Sequence, residues 1–129
     1  MTYLLDSSVI IDALNEKGRR GFLAKLSERE ILLGCCAVSV TELYMGIRPT
    51  EEAATQQFLR GLEFFPITWA VAKMAGDLFR QWRQKGQTLG LADVTIAGVA
   101  LTHGLPLVTD NVKHFPMADL EIVPLPDAV

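Results

Sequence analysis

The stretch TYLLDSSVIIDAL, residues 2–14, decides the fold. Thr2 to Leu5 form a short apolar run that predicts a buried strand. Asp6 and the two serines after it are residue types that cap helices, and the apolar positions beyond them recur at helical spacing. The chain therefore opens with a strand that leads directly into a helix.

The same alternation continues to the end of the chain. Further strands are predicted at 31–33 and 35–38, with a break at Gly34, and at 64–68, 107–109 and 121–123. Helices are predicted at 21–29, from Ser39, from Thr50, at 69–84 and at 93–103. Strands that alternate with helices favour an α/β fold with a parallel sheet and right-handed crossovers.

Length and composition indicate one domain, residues 1–129, with a sizeable apolar core. Half of the 129 residues are hydrophobic, which is enough to fold without disulfides or structural metals. The mean hydropathy of +0.25 indicates either a well-filled core or an apolar partner surface. A net charge of −3 argues against a nonspecific nucleic-acid binder.

The two cysteines, Cys35 and Cys36, are adjacent in sequence. Neighbouring cysteines rarely bridge each other, so we expect reduced thiols and a cytoplasmic location. No zinc-type spacing of Cys and His is present. The apolar runs are shorter than the ~20 residues that a membrane span needs, and no leader pattern opens the chain, so no membrane association is expected.

Four acidic residues lie where predicted strands lead into predicted helices, namely Asp6, Glu42, Asp93 and Asp110. In a parallel sheet the carboxyl ends of the strands meet at one edge, where ligands bind. Carboxylates gathered there repel one another unless a cation lies between them. Mg²⁺ or Mn²⁺ with oxygen ligands is the simplest such cation.

Each acid also has a structural explanation. Asp6 and Asp93 can cap helices, Asp110 can stabilise a turn, and Glu42 stands three residues after Ser39, at capping-box spacing. For a single position the structural explanation is the better one. Four acids at four separate junctions favour a metal site.

No nucleophile–base pair is evident beside these acids. Ser7 and Ser8 are close to Asp6 in sequence, but neither His103 nor His114 is placed to activate them. The chemistry predicted for the site is therefore metal-assisted, with a metal-activated water as the attacking group.

Four segments, in order, resemble the PIN-domain ribonucleases, and most closely the VapC toxins of toxin–antitoxin pairs. They are LLDSSVIID at 4–12, VSVTEL at 38–43, LADVTIA at 91–97 and LVTDNVKHF at 107–115. The resemblance spans essentially the whole chain. It implies a PIN-like three-layer sandwich in which helices flank a parallel five-stranded sheet.

The resemblance also implies a function. It implies a metal-dependent endoribonuclease that hydrolyses RNA phosphodiester bonds with Mg²⁺, or Mn²⁺ in its place. It further implies a small cognate VapB-type antitoxin and a homodimer. Asp6, Glu42 and Asp93 match the three acidic positions of the family. Asp6 and Asp93 would bind the principal metal, and Glu42 would bind it directly or through water.

The fourth position departs from the family pattern. An acid is common two residues after the Thr of the last motif, but here Asn111 stands there and Asp110 precedes it. We expect Asp110 to contribute as the fourth catalytic and metal-binding acid, with Asn111 holding a metal-bound water or orienting a carboxylate. Asp110 or Asn111 would complete a second, looser metal site. Thr109 is expected to support the turn through its hydroxyl, and Ser7 is a further supporting residue.

Basic residues must hold an RNA substrate, and an apolar groove must hold an antitoxin helix. The basic candidates are Arg19, Arg20, Lys25, Arg80, Arg83, Lys85 and Lys113. Tyr44, Met45 and Ile47 are candidates for the groove, from which an Arg of the partner would reach the acids.

Two other classes of protein remain open. A receiver-type signalling domain also carries acids around Mg²⁺, but it needs an acid pair after the first strand, where this chain has one acid and two serines. A non-catalytic PIN-like RNA- or protein-binding module would keep the fold without turnover. Phosphorylation by acetyl phosphate would distinguish the first, and metal binding without RNA cleavage the second.

Overall fold

A computed structural model describes residues 1–15 and 19–125, apart from the side chains of Arg19 and Arg20. The first half contains β1 (Thr2–Leu5), α1 (Ser7–Leu14), α2 (Arg19–Glu28), β2 (Leu32–Cys36), α3 (Ala37–Gly46), a 3-10 turn (Pro49–Glu51) and α4 (Glu52–Arg60). The second half contains β3 (Glu63–Phe65), α5 (Trp69–Gln84), α6 (Leu91–His103), β4 (Leu107–Thr109), a 3-10 turn (Val112–His114) and β5 (Ile122–Pro124).

The five strands form one parallel sheet in the order β3-β2-β1-β4-β5. β1 lies in the middle, where Thr2 pairs with Leu32 of β2 and Leu4 pairs with Leu107 of β4. The predicted α/β fold with a parallel five-stranded sheet is confirmed. Its topology places the residue that follows β1 at the centre of the carboxyl edge.

Alternation along β1 assigns the helices to the two faces of the sheet. Leu4 packs in a cluster with residues of α5 and α6 such as Val71 and Val99. Its neighbour Leu5 points the other way, into a cluster with Val9 of α1. Both leucines are fully buried. The sheet is therefore the middle layer of a three-layer sandwich, as predicted.

The predicted break in the second strand is wrong, because β2 runs through Gly34 without interruption. Gly34 pairs with Glu63 of β3, and a Cβ added at Gly34 would lie 2.7 Å from Cε2 of the Phe65 ring. The glycine leaves space for that aromatic side chain to cross the strand. A residue type that usually interrupts strands here permits close packing.

Several predicted helix starts also differ from the observed ones. α3 begins at Ala37, so Ser39 lies inside it, and α4 begins at Glu52 after a 3-10 turn, so Thr50 is not its cap. The prediction for α5 is confirmed at both ends. Its N-cap is Thr68, whose hydroxyl accepts a hydrogen bond from the backbone N–H of Val71 at 3.2 Å.

Helices α5 and α6 pack closely because α6 carries a glycine at their contact. A Cβ at Gly98 would lie 3.0 Å from the carbonyl oxygen of Val71 and 3.3 Å from the backbone nitrogen of Ala75. At α6's end, Gly104 adopts the left-handed conformation that terminates many helices, with φ of 65°.

The expectation of reduced cysteines is confirmed, since Cys35 and Cys36 are both free and buried. Burial, with the neighbouring Cys36, raises the pKa of Cys35 to about 11. Among the helices in the described ranges, none has the length and apolar character to cross a membrane.

Candidate active site at the carboxyl edge of the sheet

Asp6 follows β1 directly and is the N-cap of α1, as predicted. Its Oδ1 accepts a hydrogen bond from the backbone N–H of Ser7 at 2.7 Å, and its Oδ2 accepts one from the Thr109 hydroxyl at 2.7 Å. The carboxylate is 5% exposed. It is therefore a fixed acceptor that joins the end of β1 to the end of β4.

Glu42 lies in the second turn of α3, and the predicted capping box with Ser39 is wrong because Cys36 is the N-cap. The Ser7 hydroxyl lies 2.6 Å from Oε1 of Glu42 and 2.8 Å from Oγ of Ser39. One hydroxyl carries one proton and a carboxylate only accepts, so Ser7 donates to Glu42 and accepts from Ser39. Ser7 therefore contacts Glu42 directly, and its supporting role in the site stays a prediction.

Asp93 lies in the first turn of α6, but no strand precedes it, contrary to the sequence expectation. Burial is the main cause that raises the pKa of Asp93, and the charges of Asp6 and Glu42 raise it further. Nδ1 of His114 lies 3.4 Å from Oδ2 of Asp93 and opposes that effect. Three acids that are distant in sequence therefore share one electrostatic environment.

Asp110 and Asn111 follow β4 and approach the site together. Oδ1 of Asp110 lies 3.1 Å from the Ser8 hydroxyl, and the side-chain amide of Asn111 donates to the same hydroxyl at 3.3 Å. The backbone N–H of Asn111 donates to the Thr109 hydroxyl at 2.9 Å, a contact that is consistent with the predicted support of the turn by Thr109. The two alternatives for the fourth position thus converge on one serine.

Ser8 joins two of the predicted acids. Its hydroxyl lies 3.3 Å from Oδ2 of Asp6 as well as 3.1 Å from Oδ1 of Asp110. Because it carries a single proton, it donates to only one of these carboxylates at a time, while Asn111 donates to its oxygen. Asp6 and Asp110 are therefore linked through a shared donor.

The four acids are brought to one edge without forming a closed cage. Within the described part of the chain, no three His, Cys, Asp or Glu side chains are arranged to enclose a metal ion. Mg²⁺ usually keeps several waters and takes one or two protein carboxylates. The repulsion among Asp6, Glu42 and Asp93 is the kind that a cation relieves. The donor chemistry therefore fits a hydrated divalent cation.

The sequence assigns no specific function to Ser8 or Ser39, since Ser8 is only a neighbour of Asp6 and Ser39 only a predicted helix start. It makes His114 a weak candidate for contacting substrate and does not predict its contact with Asp93. The Ser7–Ser39 contact joins positions 32 residues apart, and the Ser8–Asp110 contact joins positions 102 apart. Such contacts follow from strand order, which the local pattern does not specify.

The chain is similar to known proteins over nearly its full length. It matches the PIN domain family over residues 3–120. Ribonuclease VapC10 of Mycobacterium tuberculosis (strain ATCC 25618 / H37Rv) is 35% identical over 115 residues, 88% of this chain and 86% of that protein. Ribonuclease VapC19 of the same strain is 30% identical over 115 residues, 88% of this chain and 92% of that protein.

Solved structures share the fold at lower identity. The structure of VapBC2 from Rickettsia felis bound to a promoter DNA fragment matches with a TM-score of 0.84 at 22% identity. The match covers 98% of this chain and 100% of that chain. DNA-bound VapBC from Salmonella typhimurium matches with a TM-score of 0.83 at 22% identity, covering 96% and 98%. The family match and the two curated relatives together show that this chain belongs to the PIN-domain family and, within it, to the VapC ribonucleases.

Proposed function

We propose that this chain is a metal-dependent endoribonuclease that acts as the toxin of a toxin–antitoxin pair. The observation that carries the proposal is the convergence of Asp6, Glu42 and Asp93, whose charges act on one another at the carboxyl edge. Membership of the VapC ribonucleases supports RNA as the substrate. Mg²⁺ is the proposed cation, and Mn²⁺ is expected to substitute for it. The proposed location is the cytoplasm, which suits two free thiols.

The proposed holders of the cation are Asp6 and Asp93, with Glu42 acting directly or through a water, and Asp110 nearby. When bound, the cation would supply an activated water and stabilise the charge that develops on the phosphate. The chain's own hydroxyls fix the carboxylates. Thr109 donates to Asp6, and Ser7 donates to Glu42. This prior orientation lowers the cost of assembling the site.

Cleavage of a total tRNA pool by purified protein tests the proposal directly. We expect cutting with Mg²⁺ and with Mn²⁺, and none with EDTA. Asp6→Asn should abolish it, while the fold persists because Asn caps helices as well as Asp does. Asp119→Asn removes an exposed acid that lies outside the cluster and should leave the rate unchanged.

The ends of the products test the chemistry separately. Attack by water leaves a 5′-phosphate, whereas attack by the ribose 2′-hydroxyl leaves a 2′,3′-cyclic phosphate. Cyclic ends would contradict hydrolysis by an activated water. Binding of Mn²⁺ by a folded, antitoxin-free protein that cuts no RNA would instead favour the non-catalytic binding module.

The basic candidates for RNA contact differ in their surroundings. Arg80 is paired with Asp77 at 3.0 Å, and Lys85 lies 4.4 Å from the centroid of the Trp82 ring. Lys113 is exposed and shares a 3-10 turn with His114. Lys25 and Arg83 are also exposed, and the side chains of Arg19 and Arg20 lie outside the described part.

Lys113 is the basic candidate nearest in sequence to the proposed site, since Asp110 precedes it by three positions. We therefore propose it as the first phosphate contact to test. A single lysine of this kind positions the backbone of the RNA and carries no sequence preference of its own.

The proposed VapB-type antitoxin has a cleft available beside the acids. The cleft has a volume of about 130 Å³ and is lined by residues of α1, α3, the first 3-10 turn and α4, including Ile11, Leu14, Ile47 and Glu42. Of the three groove residues predicted, Ile47 lines it, whereas Tyr44 and Met45 are exposed elsewhere on α3. An amphipathic helix seated there would bring an Arg within reach of Glu42.

The proposed homodimer has an apolar face of its own. A cavity of about 560 Å³ lies among α3, α5 and α6, and its aliphatic rim includes Ile67 and Leu91. Beside it, Trp69 is 86% exposed and Leu91 is 80% exposed. One aromatic side chain buries about 150–250 Å², and a standard interface needs about 800 Å² per partner. A face with both a projecting ring and a cavity suits a twofold contact.

Sedimentation velocity of the purified chain tests the dimer. We expect Trp69→Ser to shift the protein to monomer. Met45→Ser removes a side chain of comparable exposure, 81%, on α3 and should leave the dimer intact. A monomeric wild-type chain, or a dimer that survives Trp69→Ser, would rule out this face.

A further inference from the structure

His114 contacts the carboxylate of Asp93, one of the acids of the proposed site. Its Nδ1 lies 3.4 Å from Oδ2 of Asp93, and its own side chain is 56% exposed while that of Asp93 is 25% exposed. An imidazole at the rim therefore reaches inward to a carboxylate that is mostly buried.

The Oδ2 atom of Asp93 also lies close to Gly90. A Cβ built on Gly90 would lie 3.2 Å from that oxygen. Gly90 is the N-cap residue of α6, and it has no side chain to cap the helix. The absence of a side chain at Gly90 therefore leaves space for the same oxygen that His114 contacts.

The position of His114 is fixed by its neighbours in the second 3-10 turn. Its backbone N–H donates to the carbonyl of Asn111 at 2.9 Å, and the N–H of Phe115 donates to the carbonyl of Val112 at 3.0 Å. Phe115 is 2% exposed and packs in the same cluster as Val94 of α6. The turn is thus attached to the helix that carries Asp93.

We propose that His114 is a positioning residue that holds Asp93 through Nδ1 and thereby raises the affinity of the site for a divalent cation. The proposal rests on the proposed function, because it assumes that Asp93 is a holder of the cation. Partners that hydrogen-bond to metal ligands typically contribute 10–100-fold in metal affinity. His114 itself is not proposed to bind the metal.

The side-chain atoms allow a sharp test. The amide nitrogen of Asn occupies the place of Nδ1 of His, whereas that of Gln occupies the place of Nε2. Titration calorimetry with Mn²⁺ alone, at a fixed pH and without RNA, should show about tenfold weaker binding for His114→Leu. His114→Asn should remain within about threefold of wild type, and His114→Gln should resemble His114→Leu.

His103→Leu is the matched control, because it removes the other histidine of the chain at the opposite end of α6. It should leave Mn²⁺ affinity unchanged. Circular dichroism of every variant checks that the fold is intact.

Equal or tighter Mn²⁺ binding by His114→Leu overturns the positioning proposal, and so does equal recovery by Asn and Gln. Absence of Mn²⁺ binding by the wild type, or binding that Asp93→Asn does not weaken, overturns the proposed cation site itself. The two failures are therefore distinguishable in one set of titrations.

Discussion

The carboxylate of Asp93 lies in surroundings that disfavour its negative charge. Burial and the neighbouring acids raise its pKa above the ordinary value of 3.8. The folded chain therefore holds the Asp93 proton more tightly than the unfolded chain does, and the ionised carboxylate lowers stability at neutral pH. This cost is fully present above the raised pKa and disappears as the pH falls through it towards 3.8.

Asp93→Asn should therefore stabilise the metal-free protein at pH 7. We expect its Tm to exceed that of wild type by a few degrees in EDTA, since active-site acids commonly reduce stability. The difference should diminish as the pH falls and vanish well below 3.8, where Asp93 is protonated in both states. Thermal unfolding monitored by circular dichroism at several pH values measures this, and a lower Tm for the variant at pH 7 would contradict it.

Ser8 is predicted to matter more than a surface serine. Its hydroxyl is shared between Asp6 and Asp110, and Asp6 has two further donors. A hydrogen bond to a charged group is worth about 1.5–3 kcal/mol, so Ser8→Ala should lower kcat/KM by about tenfold or more. Initial rates of RNA cleavage measure this.

Ser8→Thr keeps the hydroxyl and should recover most of the activity. Ser27→Ala, at an exposed position of α2, is the matched control. An unchanged rate for Ser8→Ala would mean that Asp110 does not reach the reaction through this serine.

At the residue scale the sequence located the acids but not their hydrogen-bond partners. Asp6 and Asp110 were predicted correctly as residues that follow strands, because each directly succeeds an apolar run. Asp93 was found for a wrong reason, since the loop before α6 contains no strand. The choice between Asp110 and Asn111 was beyond sequence reasoning, because both contact a serine about one hundred positions away.

At the scale of elements, the packing of α5 on α6 depends on Gly98. A side chain there would meet the backbone at Val71 and Ala75. We expect Gly98→Ala to lower the free energy of unfolding by about 1–2 kcal/mol, because overpacking outweighs the gain in helix propensity. Gly21→Ala, where nothing lies within 4 Å, should raise it by up to about 1 kcal/mol.

Urea denaturation of both variants measures these two changes. The opposite signs make the pair informative, because both substitutions replace a helical glycine by alanine. A stabilised Gly98→Ala variant would show that the two helices can separate without cost.

Helices with a long apolar stripe on one face were predicted best. The apolar stripe of α5 predicted both ends of that helix, although Thr68, its N-cap, was predicted as the end of a strand. β2 was divided wrongly at Gly34, because the ring of Phe65 that requires the glycine belongs to another strand. Thr50 was a plausible cap by residue type, but the chain forms a 3-10 turn there before α4 begins. Local pattern thus specifies periodic elements better than the junctions between them.

At the scale of the whole molecule, the net charge of −3 makes RNA binding depend on local contacts. Each phosphate contact to a single strand contributes about −0.7 to the slope of log affinity against log salt. Lys113→Gln should make the slope less negative by about 0.7. Lys73→Gln, at a lysine already paired with Asp77 at 2.9 Å, should change it little.

Fluorescence anisotropy of a labelled single-stranded RNA measures the slope, with EDTA present to prevent cleavage. Equal slopes for wild type and Lys113→Gln would remove this lysine from the RNA contacts.

The central place of β1 in the sheet has a consequence during synthesis. β1 pairs with β4, which is translated after it, and Asp6 accepts a hydrogen bond from the hydroxyl of Thr109, which lies 103 positions later. Contacts so distant in sequence form late in folding. A nascent chain that still lacks β4 also lacks Asp110 and His114, so an incomplete polypeptide has only part of the acidic edge. We therefore expect RNA cleavage only after β4 and the turn that follows it have been translated.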